Sequence, residues 1–120
     1  MTNVIVCGSR HFENRAFVYE TLTRLHARWS FEVVLTGGAE GVDKFADQWA
    51  YENGIHRTIF MANWKKFGNR AGPIRNQRMI IYGRPDLVVA FPGGAGTADM
   101  MRQARESGVQ VIEISEENDE

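Results

Sequence analysis

Asp86-Leu87-Val88-Val89-Ala90-Phe91-Pro92-Gly93-Gly94-Ala95-Gly96-Thr97-Ala98-Asp99-Met100-Met101-Arg102 is the stretch that decides how this chain folds. Leu87 to Phe91 is short, apolar and rich in valine, the pattern of a strand buried on both faces. Gly93, Gly94 and Gly96 end it. They permit positive-φ backbone and carry no Cβ, so an anion can approach the main-chain N–H groups. Thr97 is a good N-cap residue, and a helix is expected over residues 98–105, closed by Gly108. A helix start leaves its first N–H groups unpaired and its dipole favours negative charge, so a strand, a glycine turn and a helix in that order make an anion site. A tight turn with small residues for packing is the other reading of the same glycines.

Working outward, strand and helix signals alternate along the whole chain. Strands are expected over residues 3–7, 31–36, 56–61, 87–91 and 110–114. Val18, Leu22, Leu25 and Trp29 follow at spacings of four, three and four, one face of a first helix. Val42, Phe45, Ala46, Trp49 and Ala50 mark a second, which Asn53-Gly54 terminates. Residues 62–70 show no clear period and read as a loop mixing bases with aromatics. Pro73, suited to a first helical position, opens a third helix to about Tyr82, and Gly83 and Pro85 stop it. Five short strands alternating with four helices give an α/β fold, a Rossmann-like parallel five-stranded sheet with helices on both faces. Ligands bind such sheets beyond the carboxyl ends of the strands, where the strand order reverses.

Three loops at that edge carry clustered glycine and polar residues: Gly8-Ser9-Arg10, the run from Gly37 and Gly38 to Asp43, and Pro92 to Thr97. Arg10 and Arg75 could each grip a phosphate bidentately. Ser9 could donate to a phosphate oxygen, but no base stands beside it in the sequence, so it is no candidate nucleophile. Asp43 falls in the first turn of its helix, where it either supports the dipole or contacts a ribose. Trp64 is the candidate for stacking on a base, or else it packs over the edge of the core. His11, His26 and His56 have no metal-ligand spacing, and no metal site is expected. Neither the dinucleotide fingerprint nor the P-loop lysine pattern occurs, so no cofactor is expected.

The 120 residues, 43% hydrophobic, fit one domain over residues 1–114 with an acidic tail over 115–120. Met1-Thr2-Asn3 runs directly into Val4-Ile5-Val6 without a basic region or signal-like segment, and no apolar run nears the ~18 residues of a membrane span. A soluble, cytoplasmic protein without membrane contact is expected. Cys7 is the only cysteine, which excludes a disulfide within the chain and fits a buried, inert thiol. The net charge of −1 conceals an asymmetry, because Glu116, Glu117, Asp119 and Glu120 crowd the end and leave a mildly basic body. Such a body suits a phosphorylated small molecule; a nucleic-acid module usually shows a stronger patch.

Gly8-Ser9-Arg10, the segment from Thr36 to Asp43, Ala71-Gly72-Pro73-Ile74-Arg75-Asn76 with Met79, and the segment from Asp86 to Met100 together resemble the YspA/YpsA-related branch of the SLOG superfamily. That superfamily is named for the Lonely-guy phosphoribohydrolases and the Smf/DprA DNA-processing proteins, and the likeness spans nearly the whole chain. It implies a Rossmann-like domain binding a nucleotide or nucleotide-derived ligand; with the loop reading above, a sensor or regulatory domain is expected, with Gly8, Ser9, Arg10, Gly37, Gly38, Asp43, Trp64, Arg75, Asn76, Gly93, Gly94, Gly96 and Thr97 at the site. The Lonely-guy enzymes cleave the N-glycosidic bond of a nucleoside 5′-monophosphate with an arginine, matched here by Arg75, and a glutamate. The glutamate's position is Met100, and the nearest acid is Asp99, so Arg75 and Asp99 are the residues that hydrolysis would need. Single-stranded DNA binding, as in the Smf/DprA relatives, is a further alternative; it requires a basic track interleaved with exposed aromatics, which residues 64–70 alone suggest. A scaffold without a small ligand would leave the glycine loops unexplained. The resemblance and the apolar residues Met79, Ile80, Ile81, Tyr82, Met100 and Met101 point to a homodimer packed through the third and fourth helices.

Overall fold

Val4, Ile5 and Val6 are wholly buried, because the strand they form, β1 (Thr2–Cys7), runs through the middle of a five-stranded sheet. The computed structural model describes residues 1–116. β2 (Phe31–Thr36), β3 (His56–Ile59), β4 (Leu87–Ala90) and β5 (Gln110–Glu113) complete the sheet in the order β3-β2-β1-β4-β5, every neighbouring pair parallel. The expected Rossmann-like α/β fold is therefore present. The order reverses between β1 and β4, so their carboxyl ends open onto the crevice that such a reversal creates.

Alternation along β1 assigns its two faces. Val4 and Val6 join Val18, Leu22, Val34, Val42, Trp49 and Phe91 under α1 (Arg15–Trp29) and α2 (Val42–Glu52). Ile5 points the other way, into a cluster with Leu35, Val88, Met79, Met100 and Ala104 under α4 (Ala71–Gly83) and α5 (Ala95–Glu106). The first helix begins where Asn14 accepts a hydrogen bond from the Phe17 N–H at 3.1 Å. The Trp49 indole donates to the Thr23 hydroxyl at 3.0 Å, joining α2 to α1. His26 serves the turn after α1, where its Nδ1 accepts from the Phe31 N–H at 2.9 Å.

Four local expectations change. Residues 62–70 are not a structureless loop: they hold a short helix, α3 (Trp64–Phe67), and a 3-10 turn (Gly68–Arg70), so the described residues include five α-helices. Asn63 starts α3 by accepting from the Lys66 N–H at 3.0 Å. The helix after β4 starts at Ala95 with Gly94 as its N-cap, so Thr97 lies inside its first turn and caps nothing. None of Gly93, Gly94 and Gly96 takes a positive φ; that backbone occurs at Gly38, Gly41, Gly54, Gly68 and Gly108. Met79 and Met100 are core residues of a single copy, so neither is free to form a dimer face. The coverage of the sheet is also uneven, because all four residues of β3 are exposed at its edge. Glu116 accepts from Asn14 Nδ2 at 2.9 Å, while residues 117–120 of the expected acidic tail lie outside the described residues. Among the described residues no helix is long and apolar enough to cross a membrane.

Candidate functional site

Ser9 shows how the three glycine loops are assembled at the reversal. Its N–H donates to the Pro92 carbonyl at 2.9 Å, and its own carbonyl accepts from the Val42 N–H at 3.2 Å. The loop after β1 is thereby stitched to the loop after β4 on one side and to the start of α2 on the other. The glycines allow the approach. A Cβ on Gly8 would strike Val42 and Phe91, and one on Gly93 would strike Thr97 and crowd the Ser9 nitrogen. Gly41, at φ +74°, would meet the Ser9 and Arg10 backbone.

Between these loops lies a cavity of about 350 Å³, within the usual range of small-molecule sites. Gly8, Ser9, Arg10 and His11 form one wall and Gly37, Ala39 and Asp43 another; Arg75, Asn76 and Met79 enter from α4, and Gly94 to Thr97 with Met100 from α5. Trp64, 58% exposed, stands at the mouth. Of the site residues expected from sequence, Gly38, Gly93 and Asp99 are not on this wall. Gly38 turns the chain at φ +74° beside Ile59 and Met61, and Gly93 packs against Thr97.

The polar groups at the wall divide into supports and free groups. Asp43 is buried, and its Oδ2 accepts from the Gly37 and Ala39 N–H groups at 3.1 and 3.2 Å. It shapes the loop after β2, which neither of its two expected roles had included. Burial pushes its carboxyl up to about 6, against the opposing pull of those N–H groups and of Arg75. Arg75 donates from Nη1 to the Gly37 carbonyl at 2.9 Å and from Nε to Asn76 Oδ1 at 3.0 Å, which leaves Nη2 outside these bonds. Asn76 is fully engaged, since its Nδ2 also donates to the Gly96 carbonyl at 3.2 Å and to Asp99 Oδ2 at 3.0 Å. Asn76 thus positions Arg75 and the start of α5.

At α5 the first helical bond runs from the Ala98 N–H to the Gly94 carbonyl at 3.0 Å. The N–H groups of Ala95, Gly96 and Thr97 have no intrahelical partner and no side chain caps them. Asp99 accepts from Asn76 of α4 at 3.0 Å and from Gln103 and Arg102 of its own helix at 2.8 and 2.7 Å. Burial alone would raise its carboxyl, but these three hydrogen bonds outweigh burial and hold it below the usual range. Cys7, expected to be buried, is half-buried and lines the cavity, with its thiol pushed up to about 12 by burial. The sequence reading passed over His11, whose N–H donates to Ser9 Oγ at 3.0 Å. Its place directly after Gly8-Ser9-Arg10, at a strand's carboxyl end, was the available signal. Among the described residues no three His, Cys, Asp or Glu side chains group as metal ligands.

Comparison with known proteins gives a consistent result. A family model described as "YspA, cpYpsA-related SLOG family" matches residues 2–67. The Gene 61 protein of Mycobacterium phage D29 is 36% identical over 124 residues, covering 97% of this chain and 98% of that protein. Two solved structures share the fold: DNA processing protein A (DprA) from Streptococcus pneumoniae, with a TM-score of 0.73, 21% identity, and coverage of 96% of this chain and 50% of that one; and the molybdenum cofactor binding protein from Rippkaea orientalis, with a TM-score of 0.64, 21% identity, and coverage of 94% and 76%.

Proposed function

The chain belongs to the YspA, cpYpsA-related SLOG family, and from that premise we propose that its cavity binds a phosphorylated, nucleotide-derived small molecule as a cytoplasmic sensor or regulatory domain. One observation carries this reading: three unpaired N–H groups at the start of α5 border the same cavity as the Arg75 guanidinium. The helix N-terminus favours an anion, and the guanidinium adds a fixed cation within the same enclosure. Arg10, exposed on the wall formed by Gly8 to His11, can close over a second phosphate. The Asp43 carboxyl can accept from ribose hydroxyls, and Trp64 offers a ring to a base at the mouth.

Titration calorimetry against nucleoside mono- and diphosphates tests the reading, with the molybdenum cofactor included because a fold neighbour binds it. Gly94→Val is the informative variant. A Cβ at Gly94 meets no protein atom within 4 Å, so the fold tolerates it while the side chain enters the anion's space. At least tenfold weaker binding is expected; unchanged binding would place the anion elsewhere.

Hydrolysis of a nucleoside monophosphate is the second reading, and Met100 weighs against it. Cleaving an N-glycosidic bond builds positive charge on the ribose, which a nearby carboxylate stabilises more in the transition state than in the ground state. The cavity wall has Met100 at the position that matches the Lonely-guy glutamate, and Asp99 is hydrogen-bonded to Asn76 of α4. Free-base release should be absent from the parent and appear, if anywhere, in Met100→Glu. Release by the parent that vanishes in Asp99→Asn would make Asp99 the working carboxylate.

A further inference from the structure

Half of the large apolar side chains that stand exposed among the described residues fall in one short stretch of chain, Ile59 to Phe67. Ile59, Met61, Trp64 and Phe67 are exposed by between 36% at Phe67 and 69% at Met61. The core does not require them, because β3 is an edge strand with every residue exposed and α3 buries none of its four residues. Two of the side chains meet. A Cβ on Gly38 would strike both Ile59 and Met61, which therefore come together over the loop after β2. A single exposed apolar residue is ordinary on a protein surface, whereas several from one segment mark a contact surface.

The charge beside these side chains has one sign. Half of the chain's 14 bases and none of its 15 acids lie between Glu52 and Asp86. Lys65, Lys66 and Arg70 stand exposed among the apolar side chains, with no carboxylate at ion-pair distance among the described residues. Elsewhere Arg15, Lys44, Arg57, Arg102 and Arg105 each hold one. Apolar side chains flanked by unpaired cations are complementary to an acidic surface that carries apolar side chains of its own. A second copy does not fit, because it would set lysine against lysine. Unstacked bases fit poorly too, since Lys66 Nζ already lies 5.1 Å from the Phe67 ring centroid and neither Ile59 nor Met61 has a ring to offer. A lipid surface needs an apolar helical face long enough to lie in it, and α3 has four residues.

We propose that the surface formed by residues 59–70 docks an acidic segment of another protein, whose apolar side chains pack on Ile59, Met61 and Phe67 while its carboxylates meet Lys65, Lys66 and Arg70. Trp64 is shared with the cavity mouth, and those other six residues do not border the cavity. The surface therefore stands whatever the cavity holds.

Stopped-flow fluorescence on the full chain tests it, with a labelled peptide of about 12 residues in which glutamate alternates with leucine and phenylalanine. Charges at the rim of an interface act on the association rate, and apolar contacts act on dissociation. Lys65→Gln/Lys66→Gln/Arg70→Gln should slow association about tenfold at about 50 mM salt and flatten its salt dependence, with dissociation little changed. Met61→Ser/Phe67→Ser should speed dissociation about fivefold with association little changed. Neither variant should alter any mononucleotide binding, since these exposed side chains do not border the cavity. If either lowers the Tm, Lys65→Gln/Lys66→Gln and Phe67→Ser give the same comparisons at lower cost to the structure. No peptide binding at about 50 mM salt, or parent-like kinetics in both variants, would overturn the proposal. Equal binding of an all-glutamate peptide would do so too and reduce the face to simple anion attraction. Tighter binding of oligo-dT, or of vesicles rich in phosphatidylserine, would overturn it in favour of a nucleic acid or a lipid surface.

Discussion

Gly37 and Gly41 belong to one loop, yet they should respond to alanine in opposite ways. A Cβ on Gly37 would meet the far end of the Arg75 side chain, which can swing aside. Gly37→Ala should therefore cost at most about 1 kcal/mol in urea denaturation while loosening Arg75 and weakening anion binding about tenfold. At Gly41 the obstacles are the Ser9 and Arg10 backbone and the φ is +74°, so Gly41→Ala should cost about 1–3 kcal/mol or more. Asp43 supplies a pH signature. Its carboxyl holds a proton more tightly in the folded state, with a pKa of about 6 against 3.8, so its contribution is full below 3.8 and is lost as pH rises to about 6. The loss amounts to about 3 kcal/mol. Asp43→Asn should flatten that part of the stability profile relative to the parent, in paired denaturation series from pH 4 to 8. Asp99 does not interfere, because a lowered carboxyl loses its contribution only at more acid pH.

The helices show where sequence is a good guide and where it falls short. Apolar periodicity located α1 and α2, because a helix packed on a sheet must bury one stripe, whereas α4 and α5 were located by their start and stop residues, Pro73 with Gly83 and Thr97 with Gly108. The start of α5 was misplaced by three residues because the rule that threonine caps helices is local. Gly94 takes the cap position, and Thr97 packs against Gly93 from inside the first turn. The short helix α3 buries none of its residues, so no stripe existed to announce it. The three loops of the cavity were legible as glycine clusters, but the clamp joining α4 to α5 was not, since Asn76, Asp99 and Gln103 signal nothing until the helices are side by side. That clamp should be structural: Asp99→Ala removes three hydrogen bonds and should lower unfolding free energy by about 2–3 kcal/mol, read in urea, even where ligand affinity barely changes.

At the scale of the whole molecule, Met79 and Met100 are spent on the core, so pairing of two copies through α4 and α5 rests on Ile81 and Tyr82, which are 54% and 69% exposed, with Ile80 and Met101 half-buried beside them. Sedimentation at micromolar concentration should show a dimer that Ile81→Asp/Tyr82→Asp converts to a monomer; a parent already monomeric would remove that reading. The strand order was foreseeable only as a reversal somewhere, because which strands become neighbours depends on pairings distant in the sequence. β1 bonds to β4 through Val4 and Leu87, and β2 to β3 through Val33 and His56. The cavity is therefore complete only when both halves of the polypeptide are present. A ribosome that has released only the first half has made the loops after β1 and β2 but neither Arg75 nor the start of α5. Severed at the exposed turn of Gly54, the protein would become two fragments that share one binding site, and the ligand itself would favour their reunion.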